Sequence, residues 1–282
     1  MRKKVFGSSG VEVAAVGQGT WDMPENGSRL EGARQAIRRG IELGMTHLDT
    51  AEMYGTGRVE EILGSALAGY AREELFVTTK VLPGNATYDG TIAAARRSLE
   101  RLRCEYLDLY LLHWPGSHPL RETMRAMEHL VEVGATRFVG VSNFDTDEML
   151  EAASHLRAVP LVCNQVLYHL CERGIESDLI PQAQRAGVAI VAYTPFGRGA
   201  YLRSPGGMRT LERIAEKHEA TPRQVTLAFL TRFENVFAIP KAARVAHVEE
   251  NAAAAALELD AGDIEEIDRA FPAGPRGPLA TL

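Results

Sequence analysis

Eight short runs rich in Val, Ile, Leu and aromatic residues recur along this chain with helix-like patterns between them, and that alternation constrains the fold more than any other feature. They span Ala14–Thr20, Met45–Thr50, Leu75–Lys80, Leu107–His113, Thr136–Ser142, Leu161–Gln165, Val188–Tyr193 and Val236–Pro240. Continuous apolar strands of this kind are buried on both faces, as in a parallel sheet covered by helices. The intervening helices carry their own punctuation. Ser28-Arg29-Leu30-Glu31 reads as a capping box, Leu30, Ala33, Ile37 and Ile41 follow at helical spacing, and Gly44 ends the run. Thr221-Pro222-Arg223-Gln224 repeats the logic with a proline at the first helical position. Before the first unit, Lys4-Val5-Phe6 and Val11-Glu12-Val13 flank Gly7-Ser8-Ser9-Gly10 and predict a hairpin.

Eight strand–helix units in 282 residues, with no Pro/Gly/Ser-rich linker, predict an α/β fold: a (β/α)8 TIM barrel with an N-terminal β-hairpin, forming one domain over residues 1–282. A doubly wound dinucleotide fold would place G-x-G-x-x-G after the first strand, where Val16-Gly17-Gln18-Gly19-Thr20-Trp21 supplies only part of it.

Composition narrows the function. A net charge of -6 without like-charge blocks argues against nucleic acid and anionic membrane surfaces, leaving small molecules as partners. No run has the roughly 18 to 20 apolar residues of a membrane span, and Val5-Phe6 is broken at once by Gly7, so no signal peptide is expected. Cys104, Cys163 and Cys171 form no CxxC pair. The expectation is a reduced, cytoplasmic protein, monomeric by default.

Barrels of this kind carry their chemistry where strand C-termini meet the following loops. Here Asp49 ends the second strand with Tyr54 one loop later, Lys80 ends the third, and His113 ends the fourth ahead of Trp114. A phenol with a pKa near 10 is a poor acid at neutral pH, and a neighbouring ammonium stabilises its phenolate. Lys80 is positioned to be that ammonium, Asp49 to keep it charged, and a neutral His113 to polarise a carbonyl oxygen. The set predicts proton delivery to a carbonyl, with neither a nucleophile nor a metal site. His47 and Asp108 read as buried structural groups, His47 as a hydrogen-bonded one.

With these residues in place, the chain resembles the aldo-keto reductases. Asp49-Thr50-Ala51-Glu52-Met53-Tyr54-Gly55, Lys80 and Leu111-Leu112-His113-Trp114-Pro115 look like the family signature. Gly140-Val141-Ser142-Asn143-Phe144, Asn164-Gln165, Tyr193-Thr194-Pro195-Phe196-Gly197 and Ile239-Pro240-Lys241 continue it in family order. The resemblance implies an oxidoreductase that transfers hydride from a nicotinamide cofactor to small aldehydes or ketones. Tyr54 would be the proton donor, Lys80 and Asp49 its tuning pair, and His113 the group that orients the carbonyl. It further implies cofactor contacts from Thr20, from Ser142, Asn143 and Gln165 to the carboxamide, from Tyr193 to the ring, and from Thr194, Pro195, Phe196 and Gly197 to the pyrophosphate. The segment from Arg198 to Gly207 would be a strap over that pyrophosphate.

After the eighth strand, Lys241, Glu250 and Asn251 match the family's cofactor-binding pattern, whereas Ala242 and His247 stand where it usually has serine and arginine. Two contacts to the 2′-phosphate of NADPH are thereby altered, with Arg244 nearby as a substitute, so NADPH is expected first and NADH second. Trp21 and Trp114, with His113, would line an apolar substrate pocket. A short tail after Pro272-Ala273-Gly274-Pro275 predicts an open mouth. Leu167-Tyr168-His169-Leu170, together with the alanine and histidine replacements, is similar to bacterial members that reduce methylglyoxal and related reactive aldehydes. Two other readings remain at this point: a nicotinamide-sensing binding subunit of the same fold without turnover, and a metal-dependent barrel hydrolase.

Overall fold

Burial on both faces, expected from the apolar runs, is realised in a parallel sheet closed on itself and wrapped by helices. The computed structural model describes residues 1–274 and 277–282, with side chains at all of these except 28, 201–203 and 205. Strands β1 (Lys3–Val5) and β2 (Glu12–Ala14) form an antiparallel hairpin. Eight parallel strands follow: β3 (Gln18–Gly19), β4 (His47–Asp49), β5 (Phe76–Val81), β6 (Leu107–Leu112), β7 (Thr136–Ser142), β8 (Leu161–Leu167), β9 (Ala189–Tyr193) and β10 (Val236–Ala238). Each pairs with its sequence neighbour, and β10 returns to the first strand region through parallel bridges Val16 to Ala238 and Gly19 to Lys241. Those bridges close the barrel, reinforced by Gly17 N–H to Ala238 O at 2.8 Å and Ala238 N–H to Ala15 O at 2.9 Å.

The helices are α1 (Gly27–Glu42), α2 (Arg58–Leu67), α3 (Tyr88–Leu102), α4 (Leu120–Glu132), α5 (Thr146–His155), α6 (Leu179–Arg185), α7 (Pro205–Lys217), α8 (Pro222–Leu230), α9 (Val245–Ala253) and α10 (Ala261–Ala270). The capping box at Thr221 forms as expected, its side chain accepting from Gln224 N–H while Gln224 answers to the Thr221 backbone. At the first helix the start falls earlier than the box expected at Ser28. Helix α1 begins at Gly27 after an extended Asn26, so position 28 is already helical, and the Ser28 side chain lies outside the described residues. Gly44 does end this helix region, with φ at +86°. The first strand is also shorter than its apolar run predicts, because Ala14 pairs with Lys3 in the hairpin and only Gln18 and Gly19 pair with β4.

Strand alternation sorts the core into two layers. Phe76, Leu109, Leu111, Cys163, Ala189, Val191, Phe237 and Ile239 form an inner cluster, while Val77, Tyr110, Leu112, Ile190 and Ala238 belong to the larger layer shared with the helices. The hairpin joins the inner cluster at the barrel's N-terminal end. Phe6, fully buried, packs its ring 5.0 Å from Phe76 and 4.9 Å from Phe237, a burial that stabilises by about 1.5–3 kcal/mol. Lys4 donates to the carbonyls of Thr231, Phe233 and Val236. Asp108 is a buried structural carboxylate, accepting from Val77 N–H at 2.9 Å and pairing with Arg72 and Arg137 at 2.7 Å each. His47 is buried too: the Ala14 backbone is its polar neighbour, and the ring stands edge-on to Phe6, Phe76 and Phe237.

Candidate active site

The alternation that builds the inner core also delivers the polar residues of the site. Asp49 lies two residues beyond His47, Lys80 four beyond Phe76, His113 two beyond Leu111, Gln165 two beyond Cys163 and Tyr193 two beyond Val191. Each therefore shares a face with an inward residue and sits one layer higher, at the C-terminal mouth. A cavity of about 510 Å3 opens there. Tyr54 enters it from a 3-10 turn, Tyr54–Gly57, placed after β4 by the short Ala51–Met53 connection.

Lys80, fully buried, donates to Asp49 Oδ1 and to the Thr50 carbonyl, both at 2.7 Å, and lies 3.5 Å from the Tyr54 hydroxyl. Burial pulls the lysine pKa down, but Asp49 and Tyr54 outweigh it and hold the ammonium above its ordinary value. Asp49 is fixed from two further sides, by Gln165 Nε2 at 2.7 Å on its other oxygen and by Thr20 Oγ1 at 2.9 Å on its backbone carbonyl. A buried ion pair of this kind needs such extra hydrogen bonds to offset the desolvation of both charges.

Tyr54 departs from the sequence expectation. Burial raises its pKa, and Lys80 counters only part of that, so the phenol is held protonated rather than made more acidic than usual. The ammonium stabilises the phenolate once the proton has gone. His113 is pushed down to about 2 by burial and then by Lys80, so it is neutral. Its ring centre lies 5.9 Å from that of Tyr54 and 4.7 Å from that of Trp114. Asp49, Tyr54, Lys80 and His113 thus meet in one place, with a protonated phenol and a neutral imidazole facing the same cavity.

The rest of the wall comes from loops after β7, β9 and β10. Tyr193 donates to Asn143 Oδ1 at 2.7 Å, and Asn143 Nδ2 donates to the His113 carbonyl at 3.1 Å. Asn143 and Thr194 both have left-handed backbones, φ +61° and +52°, a strained choice for a β-branched threonine. Thr20, Trp21, Trp114, Ser142, Asn143, Gln165, Tyr193, Thr194, Pro195, Phe196 and Lys241 all line the cavity. Gly197 begins the next 3-10 segment beside it. Ala242 is buried behind the wall, and His247, Glu250 and Asn251 lie on α9, outside this cavity.

Five lining residues were given no role in the sequence reading: Gly19, Asp22, Met53, Ile239 and Leu282. Asp22 and Met53 adjoin residues that were read, and adjacency was the available signal. Leu282 had none. The tail from Gly277 runs back beneath the mouth, where Gly277 to Ala280 border a second, smaller cavity, and Leu282 helps form the rim. Arg198, anticipated only as part of a strap, places its guanidinium 4.6 Å from the Trp21 ring centre, bridging two loops across the opening.

The sequence profile described as the aldo/keto reductase family matches residues 15–271. The chain belongs to the aldo/keto reductase family. This aldo/keto reductase is an oxidoreductase, 44% identical to methylglyoxal reductase YeaE of Escherichia coli K12 over 99% of both chains. It is 36% identical to glyoxal reductase of Bacillus subtilis over 92% of its own length and 90% of the relative's. A solved aldo/keto reductase from Klebsiella pneumoniae, crystallised with NADP and acetate, superposes with a TM-score of 0.91 at 38% identity and covers both chains fully. Among the described residues of this aldo/keto reductase, no group of three or more His, Cys, Asp or Glu side chains is arranged to hold a metal ion, and no helix is long and apolar enough to cross a membrane.

Proposed function

We propose that this aldo/keto reductase reduces small reactive aldehydes, methylglyoxal among them, to alcohols with NADPH as preferred cofactor, residues 1–282 working as one barrel domain. The observation that carries the reading is the buried Lys80, held between Asp49 and the Tyr54 hydroxyl at the rim of an apolar cavity. The printed activities of the Escherichia coli and Bacillus subtilis relatives support the substrate class. The intact set of four favours turnover over a cofactor-sensing role.

The chain's own polar groups fit a dinucleotide. Asn251 Oδ1 is buried without a partner on α9, an acceptor in need of a donor, and Lys241 lines the cavity on the same side. In this reading Ser142, Asn143 and Gln165 hold the carboxamide, and Tyr193 backs the ring. Thr20 and Thr194 to Gly197 follow the pyrophosphate, with Lys241, Ala242, His247, Glu250 and Asn251 at the adenosine end. A reduced nicotinamide bound there supplies the hydride. Tyr54 gives its proton to the carbonyl oxygen, and Lys80 stabilises the phenolate that remains. Neutral His113 donates a hydrogen bond to the same oxygen. Trp21 and Trp114 present flat apolar walls that read few hydroxyls.

The test is nicotinamide absorbance decay with purified protein and methylglyoxal, comparing NADPH with NADH and wild type with Tyr54→Phe. Expected is NADPH-dependent decay that falls by about two to four orders of magnitude in the variant, with NADPH binding retained. Retention of most activity in Tyr54→Phe would remove the proton-donor assignment.

A further inference from the structure

Tyr54 depends on its backbone for its place in the site. Its hydroxyl lies 3.5 Å from Lys80 Nζ, at the outer edge of hydrogen-bond reach, so a displacement of about 1 Å would end the contact. The turn that carries it is strained: Gly55 and Thr56 both take left-handed backbones, at φ +55° and +54°, a costly conformation for a β-branched threonine. Such a turn keeps its position only if its surroundings fix it, and the element it must be fixed against is β5, which carries Lys80.

Glu52 stands where that fixing is needed. Backbone pairing with β5 loosens towards the mouth, from 2.9 Å for Thr50 N–H to Thr78 O to 3.4 Å for Glu52 N–H to Lys80 O. In a parallel ladder the residue that donates to Lys80 O offers its own carbonyl to Leu82 N–H. Here the chain turns away at Glu52 and Met53, and the side chain takes over: Glu52 Oε1 accepts from Leu82 N–H at 2.8 Å. The same oxygen accepts from Asn85 Nδ2 at 2.9 Å, in the 3-10 turn Pro83–Asn85, and Oε2 faces Arg97 of α3 at 3.5 Å. Glu52 therefore grips β5 and its loop on both sides of Val81, with Tyr54 two residues along one segment and Lys80 two residues back from Leu82 on the other. Its residue is 6% exposed and is not among those that line the cavity, so the carboxylate acts through the backbone and not on a bound molecule.

We propose that Glu52 is the positioning residue of Tyr54: its carboxylate replaces a main-chain carbonyl in the ladder with β5 and so sets the distance between the Tyr54 hydroxyl and the Lys80 ammonium. The part this distance plays in turnover rests on the function proposed above. The clamp uses reach, not charge. Glutamine keeps an acceptor at the same distance from the backbone, whereas aspartate keeps the charge and draws the acceptor back by one methylene. A loosened clamp lets the phenol drift from Lys80, which makes it harder to ionise and takes the proton donor off its line.

Absorbance titration of the whole protein carrying difluorotyrosine at position 54, whose phenol ionises well below that of tyrosine, tests this without any turnover. In Glu52→Asp and Glu52→Ala the phenol should ionise at a pH higher by about half a unit or more, while Glu52→Gln and Arg97→Ala stay at the wild-type value. With the native tyrosine, the single-turnover rate of NADPH oxidation by methylglyoxal should fall by about tenfold to a hundredfold in Glu52→Asp and be largely restored in Glu52→Gln, NADPH affinity staying within about threefold. If Glu52→Ala does not fold, the aspartate and glutamine variants decide the matter between them. An ionisation that is the same in every variant, or a glutamine variant as impaired as the aspartate one, would overturn the proposal. If wild type reduces no carbonyl and the ionisation still follows side-chain reach, the clamp stands and the reductase reading falls.

Discussion

Gln165 and Asp49, 116 residues apart in the chain, meet across the barrel mouth with Nε2 2.7 Å from Oδ2. The contact ties β8 to β4 and leaves the other carboxylate oxygen for Lys80. Asp49→Asn would strand the lysine as a lone buried cation, and we expect a loss of about 3–5 kcal/mol in urea unfolding. Asp49→Asn combined with Lys80→Met should recover part of that loss, because both charges are then gone. A single variant within about 0.5 kcal/mol of wild type would mean the pair is not desolvated as the structure has it.

The pH profile of turnover follows from Tyr54. In the proposed mechanism reduction needs the protonated phenol, and burial holds its pKa above the ordinary 10.0. The reductive rate should therefore stay level through the neutral range and fall only on the alkaline side. Lys80→Met removes the group that lowers this pKa, so the alkaline limb should move further up while the rate drops. An alkaline limb near pH 7 in wild type contradicts the assignment.

Two buried histidines set the acid limit of stability. Burial lowers His47 from 6.5 to about 3 and His113 from 6.5 to about 2. Their folded values lie below the unfolded one, so the unfolded chain binds more protons between these limits. Their contribution is complete above pH 6.5 and is lost as pH falls below it, by about 1.4 kcal/mol per pH unit for each ring. Urea midpoints measured from pH 7.5 to 5 should show this slope, and His47→Leu should reduce it by one proton's worth. An unchanged slope in His47→Leu would show that its ring titrates normally.

Barrel closure depends on close backbone approach at Gly19, where an added Cβ would lie 2.6 Å from the Ile239 carbonyl oxygen. Gly19→Ala should cost about 1–3 kcal/mol, read as a lower thermal midpoint. Gly10→Ala is a different case: nothing lies within 4 Å, and its φ of +70° makes any loss one of backbone strain alone.

Arg198 over Trp21 joins two loops across the opening. Arg198→Ala should leave unfolding within about 1 kcal/mol of wild type, the usual size of an exposed cation–π contact. Its effect belongs in KM, through freer movement of the Trp21 wall. A collapse in stability instead would make the contact a structural one.

The barrel was legible because its signals are local and repeated. Each strand announces itself by composition, and Asp49, Lys80 and His113 each stand at the end of such a run. Gln165, Ser142 and Tyr193 were reached by resemblance, and their inward direction follows from the period of two in β7, β8 and β9. What sequence could not supply was distance between remote segments. The length of β3 depends on Ala14 being claimed by the hairpin, and α1 starts at Gly27, one residue ahead of the cap expected at 28. Leu282 reaches the rim through a tail with no periodicity. The acidity of Tyr54 was misjudged for a related reason, since charge can be read from a residue list and burial cannot.

The hairpin at the barrel's N-terminal end has a meaning in time as well as space. Lys4 is synthesised 227 to 232 residues ahead of its carbonyl partners at Thr231, Phe233 and Val236. Phe6 waits as long for Phe237. Until then the growing chain holds an aromatic ring and a lysine stem with nowhere to go, and the open rim of an unfinished sheet. Contacts of such span are slow to form and leave edges exposed meanwhile. Closing this barrel therefore waits for β10, with the hairpin acting as its last fastening.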